Sequence, residues 1–362
     1  MPTQTPTPEN STVFSGNIFV FYAFDIGDDI NFKALELSQA LTKVPYHAPK
    51  YFRNYHIPMA IELPHPHETS GCISAKLHHF GVISLIYKVP FNSTLEELRA
   101  DINEIDYKYQ ERSVSDANAI FKKIAPFVAK PAFFHLRNCY PVIQVDHDKS
   151  QGGNKLIETH GTTIASLLRF ETQNLSANQM KSILSSAQEY YRGDLIIIDI
   201  EAAFLYDPDY EELLEIFEFA NIQQLELQYF DRLLNQQLSA VYDSTLIDLP
   251  WTKYLPFSNV ATHTMLELGR LKIDISVITE RLANSIKLTG EAYYSDIYEL
   301  LVAKLDVNNW KASVAHKLEI IQDVRAIYQH QIDNIRDSLM NVLITVLIFI
   351  EVILGVLHYI IK

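Results

Sequence analysis

Near residue 208 the rhythm of apolar positions along the chain changes. Before it, short runs of aromatic and β-branched residues are broken by proline, glycine and polar clusters. After it, apolar residues recur at three- and four-residue spacing over long stretches with few breakers. In the first part, Asn17–Asp25 (NIFVFYAFD) reads as a strand, as do residues 57–63, 71–77 and 81–89 and the short run Pro141–Asp146. Residues 33–43, with Leu35, Leu37 and Leu41, and the stretches 95–107 and 116–128 have helical spacing. Asp194–Asp199 and Ala202–Tyr206 read as two strands or one kinked strand. Strands and helices mixed in this way predict an α+β domain over residues 16–208, behind a flexible tail over 1–15. Strand order does not follow from the pattern.

The second part, 209–338, predicts long helices forming a bundle or a coiled-coil stalk. Between Asp209 and Leu249 there is neither glycine nor proline, and a seam runs through Leu213, Phe217, Ala220, Leu227, Leu234, Leu238 and Val241, interrupted at Gln224 and Asp231. A second seam holds Leu268, Leu271, Ile275, Ile278 and Leu282. A third holds Val314, Leu318, Ile321, Tyr328, Ile332, Ile335 and Leu339, with Arg325 as its one break. Each seam can be the core of a bundle within one chain or the contact of a coiled coil between chains. Thirteen of the fifteen prolines precede residue 209, in keeping with a helical second part.

The third seam runs into an apolar tail. Residues 339–361 read LMNVLITVLIFIEVILGVLHYII, apolar all round rather than striped. Twenty helical residues reach about 30 Å, the thickness of a bilayer's hydrocarbon core. The expectation is one continuous helix from about Asn308 to the C-terminus, ending in a single transmembrane anchor over 339–362. The first residues, MPTQTPTPENSTV, contain no basic residue and no apolar core, so no secretory signal or arginine-rich transit peptide is read there. The bulk of the chain is therefore expected in the cytoplasm, with a bacterial inner membrane preferred to a mitochondrial one.

Composition narrows the function classes. Thirty basic against 44 acidic side chains leave a net charge of -14, which repels phosphate and argues against nucleic-acid binding. Two cysteines, Cys72 and Cys139, sit beside apolar runs and read as buried small hydrophobes.

The densest group of possible metal ligands is His65-Pro66-His67-Glu68, with His56, His78 and His79 nearby. Imidazoles two apart on an extended segment project to one side, and a carboxylate can complete a site. Pro64 and Pro66 instead mark an exposed loop, and no spacing matches a zinc signature, so no metal or other cofactor is expected; His65, His67 and Glu68 are the residues a metal would use. Asp146-His147-Asp148 has the same look. Gln151-Gly152-Gly153-Asn154-Lys155 lacks the phosphate-loop pattern and reads as a flexible connection. Asp199 and Glu201 form no recognisable acid–base pair. The balance is against an enzyme.

Glu351 stands apart, because a charged carboxylate at mid-span costs about 2.5–3.5 kcal/mol on insertion scales. One reading pairs it across an oligomer, with Asn341 and Thr345 on other turns; the other has it shielded by tilt or by a neighbouring chain.

The C-terminal 170 residues resemble the RMND-type ("required for meiotic nuclear division") family, a domain-of-unknown-function family that includes bacterial YagE-like proteins. The resemblance is carried by Asp194-Leu-Ile-Ile-Ile-Asp199 with Tyr206-Asp207-Pro208, by Glu218-Phe-Ala-Asn221, and by Ile278-Thr-Glu-Arg-Leu-Ala-Asn284. Tyr293-Tyr294, Trp310, Lys317-Leu-Glu319 and the tail at Ile350-Glu351-Val352 complete it. Ser338-Leu339-Met340-Asn341 departs from the family's Leu-Glu-Trp element, and the first 150 residues match loosely. The resemblance implies an α+β domain, a helical stalk and a C-terminal anchor, with eukaryotic members linked to mitochondria, and it supplies no catalytic residues.

The expectation is thus a non-enzymatic membrane-anchored scaffold or adaptor. Its partners would be the bilayer through residues 339–361, further copies of itself and a protein of unknown identity, with no nucleic acid. The rivals are a CorA-like ion transporter or pore lined by Asn341, Thr345 and Glu351, which lacks a second span and the Gly-Met-Asn motif, and a metal-dependent hydrolase using the His65/His67 loop.

Overall fold

The run NIFVFYAFD lies within β1 (Phe14–Asp25), the central strand of the first part of the chain. The computed structural model describes residues 12–47, 57–133, 137–148, 152–191, 193–243 and 292–361, with short helical pieces between 269 and 280. The other strands are β2 (Met59–Ala60), β3 (Cys72–His78), β4 (Val82–Ser93), β5 (Arg137–Val145), β6 (Ala187–Gln188), β7 (Leu195–Ile198) and β8 (Ala203–Tyr206). They form one sheet in the order β2-β3-β4-β1-β5-β8-β7-β6. β1 pairs antiparallel along its length with β4, from Phe14 opposite Ser93 to Asp25 opposite Val82, and on its other edge with β5. The β5–β8 pair is parallel and the other pairs are antiparallel, so the sheet is mixed.

Helices cover both faces. α1 (Phe32–Ser38) and the single turn α2 (His67–Ser70) lie in connections. α3 (Leu95–Ile124), α4 (Gly153–Leu167) and α5 (Ala177–Leu184) follow. Ile18, Val20, Tyr22 and Phe24 of β1 share a core with Leu98, Ile102 and Ile120 of α3 and Leu156 and Ile164 of α4. The alternate residues of β1 face α6 (Tyr210–Asp243): Phe19 lies 5.7 Å from Tyr210, and Asn221 Nδ2 donates to the Phe21 carbonyl at 3.4 Å. Tyr140 of β5 stacks on Phe217 of α6 at 5.9 Å. A strand covered on both faces has no polar side to display, which is why β1 reads as a continuous apolar run rather than an alternating one.

Several element boundaries differ from the pattern. The two helices read at 95–107 and 116–128 are one helix, α3, because the polar stretch between them continues the helix on its solvent side and no breaker intervenes before Pro126. The strand read over 57–63 contracts to β2 plus an isolated bridge between Lys43 and Ile61. α4 and α5 are not among the predicted elements, although Leu156, Ile164 and Leu167 in the first and Met180, Ile183 and Leu184 in the second recur at helical spacing.

The chain divides into two compact units, residues 1–229 with 280–310 and residues 230–279 with 311–362. In the first, α6 through Leu227 and α7 (Ala292–Lys304) pack on the sheet; Tyr298 of α7 donates to Gln223 at 2.7 Å, and Gln224 donates to the Leu305 carbonyl at 2.9 Å. In the second, Leu234 of α6 and Val314, Leu318 and Ile321 of α8 (Val307–Ile361) are buried. Here the breaks in the apolar seams are contacts. Asp231 accepts from Ser313 at 2.6 Å and pairs with Lys317 of α8. Arg325 lies against Gly269, where an added Cβ would come within 2.9 Å of its guanidinium. Gln224 and Asp231 thus each hydrogen-bond within their own chain, and Arg325 lies against Gly269. α8 is the continuous helix that the third seam predicts. Most of the second seam lies outside the described residues, although Ile275 is buried.

Candidate functional site

The sequence candidates fall in separate places. His65 is exposed, with Nε2 3.4 Å from Oδ1 of Asp116. Asp116 is fully buried in α3, accepts from the Tyr87 hydroxyl at 2.7 Å and lies 3.5 Å from Arg112 Nε. His67 and Glu68 open the single turn α2, and their side chains lie outside the described residues, as does His56. His78 belongs to the face of β3 turned toward α6, so the sheet separates it from His65 over α3. Among the described residues no group of three or more His, Cys, Asp or Glu side chains is placed to hold a metal.

The other motifs serve packing. Gly153 starts α4 rather than a flexible connection: an added Cβ would lie 2.5 Å from the Asp194 carbonyl, so only glycine allows the helix this close to the strand ahead of it. The His147 ring packs on Tyr206 at 4.8 Å, and the Asp148 amide donates to the Tyr206 hydroxyl at 2.9 Å. Asp199, 1% exposed, receives Arg169 and, at 3.3 Å, Lys304 of α7, and so ties the β7–β8 turn to the helix that covers it. Burial pushes the Cys72 and Cys139 thiols up to about 12, which leaves them as unreactive thiols.

One cluster escaped the sequence reading. Lys76, in the middle of β3, is 3% exposed and reaches Glu218 at 2.6 Å and Glu215 at 2.9 Å on α6. The Ser84 hydroxyl donates to Glu218 at 2.5 Å, His78 Nε2 lies 3.3 Å from Ser84, and the Tyr46 hydroxyl donates to Glu215 at 2.8 Å. Burial alone would lower the Lys76 pKa, but the two carboxylates outweigh it and hold the ammonium charged. Burial, with Lys76 beside it, depresses His78 to about 3, so the imidazole is neutral. Serine, histidine and lysine side by side resemble a nucleophile and its base. Here, however, the serine proton points at a carboxylate that lysine already neutralises, and the group works as a buried ion pair that docks α6 on the sheet. The signals available in sequence were a lysine inside CISAKLH and a glutamate inside FEFA, charges at positions whose neighbours are core.

The remaining candidates lie on α8. Asp333–His358, 26 residues or about 39 Å at helical rise, is the one helix among the described residues long and apolar enough to cross a membrane, and none of it is buried. Thr345 donates to the Asn341 carbonyl at 2.8 Å, so its hydroxyl is satisfied within its own helix. At 100° per residue, Asn341, Thr345 and Glu351 spread over an arc of about 120°.

Fold and placement together define an α+β domain on a mixed eight-stranded sheet, with long C-terminal helices and one candidate membrane span. The chain belongs to the family of the N-terminal domain of uncharacterized protein MJ0711, which matches residues 15–212. A curated relative, the uncharacterized protein MJ0711 of Methanocaldococcus jannaschii, is 27% identical over 204 residues, covering 56% of this chain and 61% of the relative, so the match spans under two thirds of that protein. No solved structure matches the chain.

Proposed function

We propose that the protein is a non-enzymatic adaptor that its C-terminal helix anchors in a membrane, with the acidic α+β domain on the cytoplasmic side. The observation that carries this reading is the exposed apolar stretch of α8, which no part of the chain covers among the described residues. A contiguous exposed apolar surface of this size marks a site of contact with membrane or protein. Attachment would raise the local concentration of a bound partner at the bilayer, which is adaptor chemistry rather than catalysis. Homo-oligomerisation through Glu351 and kinship with RMND-type proteins belong to the same proposal. The kinship is supported by the Asp194–Asp199 and Tyr206–Pro208 segments, which here form β7, the end of β8 and the turn into α6.

The test compares the full chain with one lacking residues 339–362 in fractionated cells. The full chain is expected in membranes after carbonate washing, with its domain digestible only from the cytoplasmic side, and the shortened chain is expected in the soluble fraction. A full chain released by carbonate would sink the anchor. Glu351→Gln is expected to lower the copy number in detergent, and an unchanged copy number would remove the carboxyl contact.

A further inference from the structure

Four tyrosines gather on the first unit beside the loop after β6. Tyr190 lies 4.5 Å from Tyr293 and 4.8 Å from Tyr191, and Tyr293 lies 5.4 Å from Tyr294. Large rings usually end in a core, yet Tyr190 is 51% and Tyr191 65% exposed. The loop that presents them is fixed by its backbone. The amides of Tyr190 and Tyr191 donate to the two oxygens of Asp194 at 3.0 and 2.9 Å, and that of Gly193 donates to Glu189 at 3.1 Å.

Among the described residues, the groups to which these tyrosines and their loop hydrogen-bond are acidic. Tyr293 donates to Asp207 at 2.5 Å and Tyr294 to Glu212 at 2.6 Å. Asp194 and Asp207 are each 3% exposed. Burial, then Asp207 and Glu189, push the Asp194 carboxyl above its ordinary range, as expected where carboxylates crowd. Donation to carboxylates keeps the Tyr293 and Tyr294 rings electron-rich behind Tyr190, and the exposed Tyr190 and Tyr191 faces attract cations through their quadrupoles. Rigid tyrosines over buried negative charge form a seat for a cation, and tyrosine is a residue in which binding energy concentrates at protein contacts.

We propose that this face docks an arginine- or lysine-bearing segment of a partner protein, its cation seated over the Tyr190 and Tyr191 rings. The net charge of -14 steers such a segment toward the chain, and the tyrosines decide where it settles. The proposal names the partner's chemistry for the adaptor reading and rests on that reading. Its test does not depend on the anchor, because binding is measured in detergent whether or not the chain is membrane-bound in cells.

The experiment titrates the full chain in maltoside micelles with fluorescent ten-residue peptides rich in arginine, in lysine or in glutamate. The cationic peptides are expected to bind and the acidic one is not. Tyr191→Ala is expected to weaken arginine-peptide binding roughly tenfold, while Tyr191→Phe stays within about twofold, since the ring rather than the hydroxyl holds the cation. Neither variant changes the charge of the chain, and Tyr191 is mostly solvent-exposed, so general attraction and folding are held fixed. Binding that is equal in the parent and the Tyr190→Ala/Tyr191→Ala double variant would overturn the proposal, as would no binding of either cationic peptide. Two further results would also overturn it: displacement by phosphocholine at or below the peptide's own concentration, which assigns the rings to a lipid headgroup, and binding that appears only after Arg192→Gln, which assigns them to the chain's own loop.

Discussion

β1 and the end of α8 are equally apolar in sequence and have opposite fates. From Ile18 to Phe24 each side chain of β1 is at most 2% exposed, with α3 and α4 over one face and α6 over the other. From Val342 to Ile361 the large apolar side chains are between 42% and 80% exposed, on every side of the helix. The hydrophobic effect acts on both, but among the described residues only β1 is covered by its own chain. What separates them is the company the chain supplies. Amphipathic helices later in the chain fold back on β1, whereas the polar face of α8 ends near Asp337 and apolar residues follow on all sides.

The largest expected effect breaks this comparison directly. Val20→Arg puts an unpaired charge at a position 1% exposed and is expected to abolish folding, read as loss of near-ultraviolet circular dichroism. Ile348→Arg, at a position 56% exposed, is expected to leave the domain's melting untouched and to weaken membrane retention, because arginine at a span's centre costs about 2.5–3.5 kcal/mol on insertion scales. If Ile348→Arg lowered the melting temperature while membrane retention held, the contrast between the two runs would be wrong.

Next in size is the buried pair that fastens α6 over the second face of β1. Lys76→Met leaves Glu218 and Glu215 without their cation and is expected to destabilise the first unit by about 3–5 kcal/mol, measured by urea unfolding. Adding Glu215→Gln and Glu218→Gln is expected to recover most of that loss, since the penalty is the uncompensated charge and not the missing attraction. A triple variant no more stable than Lys76→Met would assign the loss to packing.

What the sequence makes legible follows the reach of each interaction. The apolar run of β1, the continuity of α8 and the mixed α+β class depend on periodicities within one segment, and they are readable there. α3 reads as two helices because its middle turns carry polar residues such as Lys108 and Glu111, whose solvent-facing positions are visible only once the core lies against the other side. The Lys76 cluster joins residues about 140 positions apart, and no local rule links a lysine in a strand to two glutamates in a later helix. The histidines that look like a group in sequence part because His65 lies in the loop before α2, against Asp116 of α3, while His78 sits on β3 and faces the other side of the sheet. Gln224, Asp231 and Arg325 read as flaws in the seams because what they meet lies far away in sequence: Leu305 in the turn before α8, Ser313 with Lys317 on α8, and Gly269.

A smaller effect sharpens the same comparison through pH. The folded chain holds His78 near 3, below its ordinary 6.5, so the unfolded chain takes up the proton first as the pH falls. The stability that neutral His78 confers is complete above about 6.5 and declines from there toward 3, with a slope of at most about 1.4 kcal/mol per pH unit. Urea midpoints of the parent at pH 7, 5.5 and 4.5 are expected to fall more steeply than those of His78→Gln. Parallel slopes would mean that the imidazole does not couple folding to protons.

The smallest effect lies where β1's first cover begins. Thr94 caps α3: its hydroxyl accepts from the Glu97 amide at 3.2 Å, and the Glu97 carboxylate accepts in return from the Thr94 amide at 2.9 Å. The Thr94 amide and the Thr94 hydroxyl, both donating to it, hold the Glu97 carboxyl below its ordinary range. Thr94→Ala removes the acceptor for one otherwise unpaired amide and is expected to cost about 1 kcal/mol, with Thr94→Ser close to the parent. Because the cap is local and exposed while β1 stays covered, the loss should appear as a lower urea midpoint at an unchanged unfolding slope. A change in slope would instead mean that α3 frays from the sheet before the rest of the unit, and that the covering of β1 is less cooperative than its burial implies.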